Sequence, residues 1–240
     1  MKTLKLITIV SISLTALAFT IEPVNEQKPS QLIGAWETNS DGNLGLWIIT
    51  EKYFSITFYK PDEFLYTKGG EWKESSDGIE LIWEYNTQKE ALVGEKEIYP
   101  ITVKGNKLTM NKTVWNRVDD GGPGKLAGAW LITGRYKDGE LLERTPGVRR
   151  TMKILSGTKF QWIAYNVETK EFFGTGGGSY TTKEGKYTEN IEFFSRDNSR
   201  VGASLQFDYK IDNGRWRHSG KSSKGDPLDE VWTRREELGI

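Results

Sequence analysis

Leu32-Ile33-Gly34-Ala35-Trp36 and Leu126-Ala127-Gly128-Ala129-Trp130 are nearly the same phrase written twice in one chain. A second matched pair ends each half: Val114-Trp115-Asn116-Arg117 answers Val231-Trp232-Thr233-Arg234. Between these anchors the halves hold one register. Gly69-Gly70-Glu71-Trp72 recurs 108 positions later as Gly177-Gly178-Ser179-Tyr180. The same offset carries Trp83-Glu84-Tyr85 onto Ile191-Glu192-Phe193, Val103 onto Ile211, Leu108 onto Trp216 and Met110 onto His218. Self-similarity held through several turns reads as two copies of one folding unit. Asp119-Asp120-Gly121-Gly122-Pro123-Gly124 breaks any regular element between them and serves as a hinge. The first unit is therefore expected at residues 30–118 and the second at 125–237, the second with loop-sized insertions near 135–150 and 220–229.

Within each copy the pattern is that of strands. Phe54-Ser55-Ile56-Thr57-Phe58 and Phe160-Gln161-Trp162-Ile163-Ala164 alternate with period two. Ser76-Asp77-Gly78, Lys104-Gly105-Asn106, Glu184-Gly185-Lys186 and Asp212-Asn213-Gly214 supply the turn chemistry of hairpins. No long stretch carries an apolar stripe at helical spacing; Gln88 to Glu97 reads as one short helix or a charged loop. Many short strands in modules of about 90–110 residues predict an all-β protein, two tandem antiparallel up-and-down β-barrels with little helix. Closure also removes aggregation-prone sheet edges.

Composition narrows the function classes. The chain has no cysteine, so disulfides, cysteine zinc sites, cysteine nucleophiles and a cysteine-linked lipid anchor are excluded. Its single histidine, His218, cannot build a histidine-rich metal site. Thirty-three basic residues balance 33 acidic ones and no long basic run occurs, which argues against a nucleic-acid partner. At the N-terminus, Lys2 and Lys5 flank an apolar run from Leu6 to Phe19, and Ala16-Leu17-Ala18 forms a small-x-small cleavage pattern. Residues 1–18 therefore read as a secretory signal peptide. The run is shorter than the ~20 residues of a comfortable membrane span. The expectation is export to the periplasm or the extracellular medium, with no stable membrane insertion of the mature chain.

The Gly-x-Trp on the first strand, the meander of short hairpins and the terminal Trp-x-Arg resemble the lipocalin (calycin) superfamily. Each half looks like the lipocalin-like domains of secreted bacterial proteins, over residues 32–117 and 126–235. The resemblance implies that a first-strand tryptophan plugs one barrel end and a late arginine packs across it. Those roles fall to Trp36 with Arg117 and to Trp130 with Arg234. A guanidinium over an indole gains ~0.5–2 kcal/mol depending on burial. These four residues read as barrel closure rather than ligand contact.

Motifs for catalysis are incomplete. Gly174-Thr175-Gly176-Gly177-Gly178 is followed by Ser179 and by strand-like sequence, so it lacks the helix a phosphate loop needs and reads as a strand with close backbone approach or a bulge. No Gly-x-Ser-x-Gly elbow and no calcium-loop spacing occurs. His218 and Ser219 are neighbours on a strand and face opposite ways. No cofactor and no catalytic residue is expected.

The repeat points instead to where the copies differ. Leu81 aligns with Glu189, Met110 with His218, Ile79 with Tyr187, Ile101 with Tyr209 and Phe58 with Ala164. Each change makes the second interior more polar or roomier. Ligand cavities pair apolar walls with a few polar groups. Trp162, Tyr187, Tyr209 and Trp216 are expected as walls, Glu189 and His218 as polar handles, and Arg150, sharing strand parity with Met152 and Ile154, as an inward group near the rim. The leading expectation is an exported binding protein for a small apolar or amphipathic ligand held in the second barrel. The alternatives are a protein or glycan interaction module with both interiors packed solid, and a hydrolase or isomerase using Glu189 and His218 as acid and base.

Overall fold

The computed structural model describes residues 30–222 and 224–240. The signal-peptide assignment at residues 1–18 lies outside the described residues. The chain folds as two antiparallel, up-and-down β-barrels. The first runs β1 (Gly34–Ser40), β2 (Asn43–Ile49), β3 (Tyr53–Lys60), β4 (Glu63–Ser75), β5 (Gly78–Asn86), β6 (Lys96–Tyr99), β7 (Ile101–Lys104), β8 (Lys107–Met110) and β9 (Thr113–Asp119). Neighbours in sequence pair in space, and β1 also pairs with β9. The two free ends of this sheet, β6 and β7, are separated in the chain by Pro100 alone. Proline cannot donate to a ladder, so one strand is split in two at that point.

The second barrel runs β10 (Gly128–Lys137), β11 (Glu140–Glu143), β12 (Arg149–Leu155), β13 (Lys159–Asn166), β14 (Phe172–Lys183), β15 (Lys186–Phe194), β16 (Ser204–Asp212), β17 (Arg215–Lys221) and β18 (Pro227–Arg234), and β10 pairs with β18 to close the ring. Here β16 is unbroken and does alone what β6 and β7 do together. The early insertion is not a plain loop: β11 folds back on β10 as a hairpin. Among the described residues helix is confined to short turns, and residues 88–97 hold only a 3-10 turn at Glu90–Leu92 before β6 begins. No helix among the described residues is long and apolar enough to cross a membrane.

The glycine pairs mark the same bulge in both barrels. The ladder slips between Gly69 and Gly70 against β5, and between Gly177 and Gly178 against β15. Gly70 and Gly178 take φ of +156° and +153°. A Cβ would lie 2.0 Å from the Ile82 carbonyl oxygen at the first and 2.1 Å from that of Asn190 at the second. Only glycine permits that approach.

Three cores result. One fills the first barrel, one lines the second, and a third joins them. The joining core takes Ala35, Leu46, Ile48 and Tyr85 from the first copy and Leu131, Met152, Ile154 and Tyr165 from the second. Strands at this seam are buried on both faces. That accounts for the continuous apolar run of β2, Leu44 to Ile49, where one-faced strands would alternate.

Polar side chains of the two copies pair across the seam, although the Arg150 Nε has no partner. Gln161 on β13 donates to Thr67 of the first barrel and Thr175 of its own, both at 2.9 Å, and pairs with Ser55 at 2.5 Å. Glu84 on β5 accepts from Arg150 and Tyr165 at 2.6 Å each, and from Arg235 at Nη1, 2.8 Å, and at Nη2. Arg235 is fully buried at the start of the C-terminal turn Arg235–Leu238 and stacks on Tyr53 at 4.0 Å. Burial opposes ionisation of Glu84, but the Arg235 and Arg150 guanidiniums outweigh it and hold the carboxyl below its usual range. Its stabilisation is therefore present above the unfolded-state value and lost as pH falls through the lowered one.

Replacing Glu84 by leucine leaves two guanidiniums without their carboxylate. Urea unfolding should show a loss of about 3–5 kcal/mol. It should remain one transition by both tryptophan fluorescence and circular dichroism, because the seam couples the barrels. Unchanged stability, or two separated transitions in the wild type, would contradict the seam as the shared constraint.

Candidate functional site

The end of each barrel is built alike. Trp36 donates from Nε1 to the Leu32 carbonyl at 2.8 Å, and Trp130 donates to that of Leu126 at 2.9 Å. Arg117 lies 4.0 Å over the Trp36 ring and Arg234 lies 4.4 Å over that of Trp130. Each arginine also donates to the chain entering the barrel, at Ile33 (2.9 Å) and Ala127 (2.8 Å). These four residues hold strand ends together and line no interior void together.

The interiors diverge. On β1 and β2 of the first barrel Trp36 faces Trp47; at the same register in the second, Trp130 faces Lys153. Trp72 faces Leu81 in the first, and Tyr180 faces Glu189 in the second. Met110 faces Thr113 in the first, and His218 faces Glu230 in the second. Four interior positions that are Trp47, Leu81, Met110 and Thr113 in one barrel thus become Lys153, Glu189, His218 and Glu230 in the other. All four of the second set are buried.

These side chains form a connected group. Lys153 Nζ sits 2.6 Å from Glu189 Oε1. The same ammonium is surrounded by rings, 5.0 Å from the centroid of Tyr187, 5.2 Å from Trp216, 5.5 Å from Trp232 and 5.7 Å from Phe207. A cation so placed is held by ring quadrupoles as well as by its carboxylate. His218 packs 4.1 Å from the Phe207 ring. Its Nδ1 is 3.8 Å from Glu230, too long for a hydrogen bond, and neither ring nitrogen has a partner. The Tyr187 hydroxyl is also buried without one.

Burial, reinforced by the Lys153 charge, lowers the His218 pKa from 6.5 to about 4, against the pull of Glu230 and Glu189. The imidazole is therefore neutral at neutral pH, with one donor and one acceptor to offer. Burial first, then Glu189, raises the Tyr187 hydroxyl well above its usual range, so it stays a donor.

Beside this group lies a cavity of about 190 Å³, touched by Lys153, Glu189, His218 and Glu230 and walled by Trp162, Phe194 and Trp232 among others. In the first barrel Trp47, Trp83 and Trp115 are buried, with Trp47 edge-on to Trp115 at 5.5 Å. The surface carries larger depressions, one of about 610 Å³ beside Ser30 where the described chain begins. It is wide open and lined by turn residues such as Ser76, Asp77 and Gly78, with no buried ionisable group.

The expected site residues fall into four groups. Trp162, Glu189 and His218 line the cavity; Tyr187 and Trp216 stand behind it as rings around Lys153. Tyr209 packs half-buried on the same core without lining the cavity. Arg150 is elsewhere, and its expected inward placement is corrected. On β12 the parity is the reverse of the expected one: Met152 and Ile154 face the seam, so Arg150 crosses to Glu84 while Lys153 and Leu155 point into the barrel. The pattern of β12 misleads because both its faces are buried. Lys153 and Glu230 were legible only by matching Trp47 and Thr113, and the first of these lies ahead of the stretch where the halves hold a constant offset. Among the described residues no group of His, Asp and Glu is arranged to hold a metal ion.

No protein-family model and no curated protein matches the chain.

The neutral histidine makes a signed prediction. Between pH 6.5 and about 4 the unfolded chain takes up a proton that folded His218 refuses, so stability falls as pH falls through that window. The contribution is roughly 3 kcal/mol across it. His218→Met, which installs the first barrel's residue, should flatten the slope measured by urea unfolding from pH 7 to 4. An unaltered slope would mean that His218 is not the buried neutral group.

Proposed function

We propose that this chain is an exported, lipocalin-like binding protein, not an enzyme, and that a small amphipathic molecule is held in its second barrel. The observation that carries this reading is the difference between the copies. The same scaffold is packed with tryptophan in one barrel, and in the other holds a cavity with four buried ionisable side chains at its edge. Buried charge and unpaired polar atoms cost free energy that an apolar core would not. The first barrel has Trp47, Leu81, Met110 and Thr113 where the second has the four ionisable groups, although the indole N–H groups of its Trp47 and Trp115 are also unpaired. A ligand that meets the free imidazole nitrogens while its apolar part lies on Trp162 and Phe194 gives them a purpose.

The volume limits the ligand. A cavity of about 150 Å³ accepts benzene, so 190 Å³ accommodates one small ring with a polar substituent. Export rests on the N-terminal pattern of residues 1–18.

Ile191 lines the cavity where the first barrel carries Trp83. Small aromatic alcohols and acids should raise the melting temperature of the wild type. A ligand at a hundred times its Kd adds about 2.7 kcal/mol. Ile191→Trp should abolish that shift while the protein stays folded. Equal shifts in both proteins would place binding outside the second barrel, and no shift across a broad ligand set would sink the reading.

A further inference from the structure

Lys153 differs from an ordinary buried lysine in three respects. It borders an open void, it has a carboxylate partner at one side only, and rings surround the rest of its ammonium. Glu189 Oε1 uses one of three N–H donors. The cavity beside it also presents an imidazole whose two nitrogens are unpaired and whose residue is almost wholly buried. A polar ligand atom entering this space meets a primary amine, a counter-carboxylate and a neutral acid-base group together.

We infer that Lys153 is a reversible covalent anchor for small aromatic aldehydes or ketones, bound as a protonated imine with Glu189 as its counter-ion. The inference rests on the binding reading above and adds the ligand's reactive group to it. The chemistry balances without any further reactant. Glu189 accepts a proton from the ammonium, and the freed Nζ lone pair forms a C–N bond to the carbonyl carbon. The carbonyl oxygen takes up protons and leaves as water when the C=N bond forms. The nitrogen ends with one hydrogen and a positive charge, facing Glu189. One carbonyl compound and one ammonium give one iminium and one water, and the charge inside the barrel is unchanged. Because the product is a cation in the place of a cation, the ring cage and Glu189 hold it as they hold the lysine. His218, which lines the same cavity as Lys153 and has both ring nitrogens unpaired, is the group to shuttle the proton on the leaving hydroxyl.

The test uses the full chain with benzaldehyde and sodium cyanoborohydride at neutral pH, and benzyl alcohol as a probe that binds without reacting. Reductive trapping should place one benzyl group on Lys153, found by peptide mass mapping, ahead of the exposed lysines. Lys153→Arg should lose that adduct, and so should Ile191→Trp, which keeps Lys153 but fills the cavity. Adducts on exposed lysines only, with benzyl alcohol still raising the melting temperature, would overturn the covalent anchor and leave the binding reading standing. No melting shift with either probe and no adduct on Lys153 would overturn both.

Discussion

The rest of the structure depends on the seam between the barrels, and on Glu84 within it. Two barrel sheets laid side by side must bury the outer faces of the strands where they touch. Those strands then have no solvent side on which to place polar groups. Every polar atom in the seam must find its partner there, or cost on the order of 1–3 kcal/mol. Glu84 meets this demand for three donors at once, from β12, from β13 and from the C-terminal turn. Asp119, the first residue of the hinge, likewise ties the two copies together. It accepts from the Gly157 and Thr158 backbone at 3.0 and 2.9 Å and from the Ser156 hydroxyl at 2.9 Å. The copies are thereby fixed to one another through groups that neither copy satisfies alone.

Duplication makes the second interior interpretable. One barrel acts as a control for the other, built on the same strands, bulges and tryptophan-arginine ends. Where the residues agree, as at Trp36 and Trp130, a structural role suffices. Where they differ, the difference is concentrated. An aromatic ring, two aliphatic side chains and a threonine give way to Lys153, Glu189, His218 and Glu230, which touch one cavity. A buried ion pair is a poor way to stabilise a barrel, since its desolvation cost rivals its Coulombic gain. Its position beside a void and an unpartnered imidazole makes ligand recognition the economical account.

The architecture was legible because it rests on local signals: hairpin glycines, period-two alternation and a repeat anchored by two tryptophans. The split of one strand at Pro100 follows from a rule that reads directly off the residue. The site was legible in part. Glu189 and His218 stand out because their counterparts, Leu81 and Met110, are apolar. Lys153 does not, since Met152-Lys153-Ile154-Leu155 reads as an apolar strand interrupted by one outward charge. That reading fails because the apolar Met152 and Ile154 face is covered by the first barrel, which turns Lys153 into the barrel interior and sends Arg150 to the seam. A strand's own sequence carries no sign of which of its two apolar faces is the barrel interior. Cross-strand register supplies it, through Trp36 opposite Trp47 and Trp130 opposite Lys153.

The central claim is that the four buried ionisable groups serve the cavity and not the fold. The most direct measurement is the unfolding free energy of the quadruple variant that restores the first barrel's residues: Lys153→Trp, Glu189→Leu, His218→Met and Glu230→Thr. The account predicts a folded protein at least as stable as the wild type, since replacing a buried charged group by packed apolar residues is commonly neutral or favourable by about 1–4 kcal/mol. A variant that fails to fold, or loses several kcal/mol, would show that the second barrel needs these groups to stand.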